Sequence, residues 1–233
     1  MTTTDRGPGA VLATVLRSVL AAVLGLALGG CGDGGADDDP PPRAGATDPA
    51  DPAGGAERPD ADFTASVQVV GDAVRVSWTL RNTTDGELLV VDGVPRVAGA
   101  GIRYDATLAY VSGRGSGVLL SQRAFPWPET DRKAWDQAPR VGVTRLAAGE
   151  ELTRELSVAE PFVRRHPFGD DLGAGPVALP ADPDAVTFCL GVIAPPYPPA
   201  LGLVEEDEVT TIGHGNAAWD AQAQLCADPV ALS

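Results

Sequence analysis

From Phe63 onward, apolar and polar residues alternate with a period of two. Phe63, Ala65, Val67 and Val69 interleave with Thr64, Ser66 and Gln68; after Gly71-Asp72, Val74, Val76, Trp78 and Leu80 interleave with Arg75, Ser77, Thr79 and Arg81. Successive side chains of a strand point to opposite faces, so this pattern predicts a β-hairpin with one buried face and a tight turn at Gly71-Asp72. Asn82-Thr83-Thr84-Asp85-Gly86 supplies a second turn before a third strand at 87–91. Further apolar runs bounded by Gly, Pro and Asp predict strands at 108–111, 118–122, 141–146, 151–158, 186–193 and 221–227. Helical periodicity is absent apart from a short turn at 131–135. Many short strands without intervening helices predict an all-β antiparallel sandwich or barrel over residues 63–233. A minimal sandwich module has about 100 residues, which places long loops at 93–107, 123–140, 160–185 and 194–218. Arg154 breaks the pattern by sharing a face with Leu152 and Leu156. Either its stem lies along the sheet rim with the guanidinium in water, or a bulge shifts the register there.

Upstream of Phe63 the pattern differs. Residues 18–30 (SVLAAVLGLALGG) run thirteen positions without a charge. That matches the roughly 7–15 residues of a signal-peptide core and falls short of the about 20 needed to span a bilayer. Leu28-Gly29-Gly30-Cys31 follows directly. In this position it resembles the lipobox of bacterial lipoproteins: an aliphatic residue, two small residues that fit a narrow peptidase cleft, and the cysteine. The resemblance covers residues 1–31 and implies cleavage before Cys31, lipidation of its thiol, and retention at the outer face of the plasma membrane. Two acyl chains on one residue suffice for stable anchoring. An uncleaved anchor would hold Arg17 in its apolar span, at about 2.5–3.5 kcal/mol if central. One lysine against sixteen arginines resembles the usage of high-GC, actinobacterial genomes. Residues 32–62 carry nine acidic residues and no Val, Ile, Leu, Met, Phe, Trp or Tyr. With nothing to bury, they are expected to form a disordered tether between the lipidated cysteine and the domain.

The turn after Trp78-Thr79-Leu80-Arg81-Asn82-Thr83-Thr84 and the later Leu146-Ala147-Ala148-Gly149-Glu150 resemble bacterial immunoglobulin-like modules. Those modules place an N-x-T turn after an early strand and an L-x-x-G-E turn before a late one. The resemblance implies an immunoglobulin-like sandwich. It departs from antibody-type domains, because no cysteine lies on the early strands and Thr187 stands where a tyrosine corner would have Tyr.

Beyond Cys31, Cys189 and Cys226 both sit in predicted strands of an exported chain, which predicts a disulfide. Closing a loop of about 37 residues stabilises by about 4 kcal/mol in the chain-entropy model. A net charge of −15 argues against nucleic acid as a partner. The two histidines, His166 and His214, show no zinc-ligand spacing and read as solvated loop residues. Residues 113–117 (GRGSG) lack the glycine two before the serine in register for a nucleophile elbow, and the only lysine, Lys133, follows Arg132, which rules out a phosphate-binding loop. Glu205-Glu206-Asp207-Glu208 lacks the alternating geometry of a calcium loop and reads as a solvated acidic turn. No metal or cofactor is expected. Trp127, Trp135, Arg132 and Tyr197 are the candidate binding-surface residues, since aromatics beside an arginine suit recognition.

These features point to a membrane-anchored envelope lipoprotein presenting a non-enzymatic binding or structural module, with an envelope protein or glycan as partner. The alternatives are an envelope hydrolase or transferase built from loop carboxylates such as Asp170, Asp171 and Glu205 to Glu208, or an inhibitor- or chaperone-like module.

Overall fold

The computed structural model describes residues 46–47, 55–99, 101–173, 175–206 and 209–232, all within one unit, Pro42–Ser233. The signal peptide, Cys31 and most of the tether lie outside the described residues. In chain order the strands begin with β1 (Ala46–Thr47), β2 (Ala61–Val70), β3 (Ala73–Asn82), β4 (Leu88–Ala98) and β5 (Gly101–Asp105). There follow β6 (Tyr110–Arg114), β7 (Gly117–Gln122), β8 (Arg140–Leu146), β9 (Glu151–Ala159) and β10 (Val177–Ala178). β11 (Ala185–Ile193), β12 (Val204–Glu206), β13 (Val209–Gly213), β14 (Gln222–Cys226) and β15 (Val230–Ala231) complete them, with α1 (Asn216–Ala221) before β14.

The chain is an all-β sandwich. Its smaller sheet is β2-β3-β9, in which the alternation read from the sequence appears as Ala65 opposite Trp78 and Val67 opposite Val76. The larger sheet runs β12-β13-β8-β4-β11-β7-β6, with β14 and β15 also on β11 and β5 on β4. The expectation of a purely antiparallel assembly is corrected at one place within this sheet. β7 lies parallel to β11, from Val118 opposite Val186 to Gln122 opposite Leu190.

Val74, Val76, Trp78 and Leu80 of the small sheet pack on Leu88, Val90, Leu120, Phe188 and Val192 of the large one. The opposite face of the large sheet is also covered. There Leu89, Val91, Phe125, Ile193 and Ile212 pack with Phe168 and Leu201, from the segments following β9 and β11, and with Ala218 of α1. The long segments predicted as loops therefore supply a third layer. That is why β7 is buried at every position and β4 from Leu88 to Val94: a strand covered on both faces reads as a continuous apolar run. The segment 93–107 is an exception, because β4 continues past Val94 and pairs with β5 as a hairpin arm, where Val97 and Ile102 stand 82% and 64% exposed.

A bulge interrupts β4. Val90 lies opposite Thr144 and Gly93 opposite Gly142, so Val91 and Asp92 together face Val143. The extra residue shifts the parity of the strand, which lets Leu89, Val91 and Val94 all join the second core. At the same point the sheet forks, since β11 pairs with β7 up to Leu190 and with β4 from Gly191.

Part of the stretch read as a tether touches the sandwich. β1 pairs in parallel with β10, and the Ala56 amide donates to the Gln222 carbonyl at 3.3 Å. Backbone hydrogen bonds need no apolar side chain, so composition could not signal these contacts.

Candidate functional site

The two cysteines in the described chain are joined. Cys189 lies directly opposite Cys226 across β11 and β14, with a Cα–Cα distance of 4.1 Å. The four candidate surface residues separate into two places. Trp127 and Trp135 close over Phe168, with ring centroids 5.1 and 5.3 Å from it and 6.3 Å from each other. Both are half-buried, and Arg132 between them is exposed. Tyr197 is tied instead to the start of the large sheet, its hydroxyl donating to the Glu87 carbonyl.

Reading the histidines as solvated is corrected. His214 is 3% exposed. Its Nδ1 accepts from the Phe125 amide at 3.1 Å, and its Nε2 lies 2.9 Å from the Tyr110 hydroxyl. Because Nδ1 is an acceptor, the neutral ring carries its proton on Nε2 and donates it to Tyr110. Burial, with His166 and Arg123 adding to it, lowers the pKa of His214 to about 3. His166 packs edge-on against Phe125, its centroid 4.6 Å away. Both nitrogens of His214 are thus engaged in holding the third layer to the sheet.

The loop carboxylates are likewise occupied. Asp170 pairs with Arg164 at 3.2 Å, and Asp171 accepts the Gly173 and Gly175 amides at 2.7 and 3.2 Å. Those amides hold the Asp171 carboxyl below the usual carboxylate range. Glu205 belongs to β12, not to a free loop, and pairs with Arg145 of β8 at 2.6 Å, while Arg145 also holds Glu87 at 2.5 Å. Among the described residues, no three His, Cys, Asp or Glu side chains are grouped closely enough to share a metal ion.

A polar group of buried side chains lies at the fork in the large sheet. Trp78 of β3 donates its indole N–H across the sandwich to Gln122 Oε1 at 3.0 Å. Gln122 Nε2 in turn donates to the carbonyls of Asp92, Ala106 and Leu108 at 3.1, 2.8 and 2.9 Å. Next to Trp78, and opposite it on β9, stands Arg154. Its Nε reaches Asp92 Oδ2 of β4 at 3.1 Å. The register of β3 with β9 is continuous from Ala73 to Arg81, so no bulge accounts for Arg154. Its side chain lies along the rim of the small sheet, 33% exposed, with Nε paired to an aspartate of the facing sheet.

Asp92 is 3% exposed. Thr144 donates to its carboxylate, with oxygen distances of 2.8 and 2.9 Å. Burial holds the Asp92 carboxyl above the usual carboxylate range, although the Thr144 hydrogen bond and the Arg154 charge pull the other way. The pair lies in an open cleft of about 450 Å³ whose wall includes Tyr104, Val143, Arg145 and Thr210. Two glycines make room for the tyrosine. A Cβ on Gly142 would lie 2.8 Å from the Tyr104 Cβ, and one on Gly93 would lie 2.8 Å from the Gly142 Cα. Any side chain at either position would displace Tyr104 or the facing strand.

The sequence carried two signals for this site. Asp92 interrupts the apolar run Leu88–Val94, and a charge in a fully covered strand is the informative kind of buried residue. Arg154 falls on an apolar face. Their meeting depends on how the sheets stack, which periodicity does not encode. No protein-family profile, curated protein or solved structure matches this chain, so the site stands on its own geometry.

Proposed function

We propose that this chain is an exported lipoprotein, processed before Cys31 and held at the outer face of the plasma membrane by the lipid on that residue. The sandwich serves it as a non-enzymatic binding module, with the Asp92–Arg154 cleft as its ligand seat. The observation that carries the binding reading is a charged pair at the floor of an open cleft. A buried ion pair contributes little to stability compared with well-packed apolar residues, so its presence at the mouth of a fork between sheets favours recognition. Support for export comes from the Cys189–Cys226 bridge, since structural disulfides belong to oxidising compartments. The non-enzymatic reading is supported by His214, whose two ring nitrogens are both held by hydrogen bonds.

Growth with an alkyne-bearing palmitate analogue tests the anchor. Wild-type protein should take up the label and lack residues 1–30, and Cys31→Ser should abolish both. A wild-type chain that keeps those residues and carries no acyl mass would overturn the assignment.

A further inference from the structure

We infer that the Asp92–Arg154 cleft receives an uncharged, hydroxyl-rich ligand of the neutral saccharide class. The inference rests on the cleft being the ligand seat and concerns what that seat accepts.

Charge narrows the choice first. Within the cleft Asp92 and Arg154 compensate each other at 3.1 Å. Arg145, the other cation on the wall, is already held between Glu87 and Glu205. An anionic ligand would meet the Asp92 carboxylate at the floor and the field of a chain with net charge −15. A cationic ligand would have to displace Arg154 from Asp92, leaving that guanidinium unpaired. An apolar ligand would strip water from the ion pair without replacing its hydrogen bonds, at a penalty for each group left unsatisfied.

The remaining hydrogen-bonding capacity suits hydroxyl groups. Of the five N–H groups of Arg154, Nε is engaged with Asp92, and Nη1 makes one long contact of 3.4 Å with the Thr153 carbonyl. Its Nη2 is therefore available to an incoming acceptor. The Asp92 oxygens accept from Thr144 and Arg154 and retain lone pairs for a further donor. A donor and an acceptor thus lie side by side, and adjacent sugar hydroxyls, each able to donate and accept, match that pair. Thr210 on the wall offers a third partner. Tyr104, seated on Gly93 and Gly142, provides the aromatic wall against which the C–H face of a sugar ring packs. The volume, about 450 Å³, falls within the range of about 300–1,000 Å³ of small-molecule sites.

The test uses the full chain, detergent-solubilised, titrated with neutral disaccharides of glucose, galactose and mannose, and in parallel with glucuronic acid and glucosamine. At least one neutral probe should bind saturably, and the charged sugars should bind about 10-fold more weakly or not at all. Asp92→Asn keeps the side-chain shape and should weaken binding about 10-fold, as should Thr210→Val, which leaves the ion pair intact. A charged sugar that binds best and responds to Asp92→Asn would overturn the ligand class while leaving the seat in place. Binding equal in the wild type and both variants would overturn the seat itself. The absence of saturable binding by every neutral probe would overturn the inference.

Discussion

At the scale of single residues, the polar groups inside this sandwich divide by what they hold. His214 fastens the third layer to the sheet through the Phe125 amide and the Tyr110 hydroxyl, and its position makes folding sensitive to acid. Its pKa in the folded chain is about 3, against about 6.5 when unfolded. The unfolded chain therefore binds the extra proton first. The stability due to the neutral ring is complete above about pH 6.5 and declines as pH falls toward 3, by up to about 1.4 kcal/mol per pH unit. The NMR signal of the His214 C2 proton should accordingly keep its neutral position through mildly acidic pH until the chain unfolds. A reversible titration of that signal with a midpoint near 6.5 would show that the ring is not sealed in. Asp92 illustrates the other kind of polar residue, a charge at the edge of the interior that remains reachable from a cleft. The role of His214 was not visible at the residue itself, because a histidine between glycines looks like turn chemistry, whereas Asp92 showed only as a charge breaking an apolar run.

At the scale of elements, the two turns that resemble immunoglobulin-like modules are bound to each other. Asn82 at the end of β3 donates from Nδ2 to the carbonyls of Gly86 and Leu146, at 2.7 and 2.9 Å. Its Oδ1 accepts from the Thr84 amide and hydroxyl at 3.0 and 2.7 Å. Its backbone also pairs with Gly149 and Glu150 of the second turn, both at 2.9 Å. One buried amide thereby fixes the entry into β4 and the hairpin joining β8 to β9. Asn82→Ala leaves two carbonyls, an amide and a hydroxyl to find new partners and should destabilise by about 2–3 kcal/mol, read by urea denaturation. A loss below about 0.5 kcal/mol, the size of an ordinary surface change, would mean that water replaces the clamp. The hairpin residues were legible as turn signals on each side, but the bond between them joins positions 64 apart, beyond any local pattern.

At the scale of the molecule, β11 is the hub. It pairs with β4, β7, β14 and β15, and the disulfide ties it covalently to β14, across a separation of 37 residues. The enclosed segment contributes Leu201, Ile212 and Ala218 to the second core, so the bridge limits how far the third layer can lift away. Cys226→Ser should cost about 4 kcal/mol in the chain-entropy model and lower the melting temperature by roughly 10 °C. A melting temperature within a degree or two of wild type would mean that the sheet hydrogen bonds alone hold that segment.

The alternation of apolar and polar residues by itself determined the all-β class, the β2–β3 hairpin, and the approximate positions of β4, β6, β7, β8, β9, β11 and β14. The cysteine pairing followed from number and placement, because two strand cysteines beyond Cys31 have one bridge available between them. What only the tertiary structure decided was which charges meet. Periodicity records the face a side chain occupies, and it assigned Arg154 correctly to the inner face of β9. It does not record what the opposite sheet presents there. The β4 bulge, the fork at β11 and the two glycines beneath Tyr104 bring Asp92 to that point. Each of these is a relation between strands distant in sequence, set by how the sheets stack. The short strands β5, β10, β12, β13 and β15 were likewise hidden, since two to five residues hold too few alternations to show a period and are ordered by the partners they pair with.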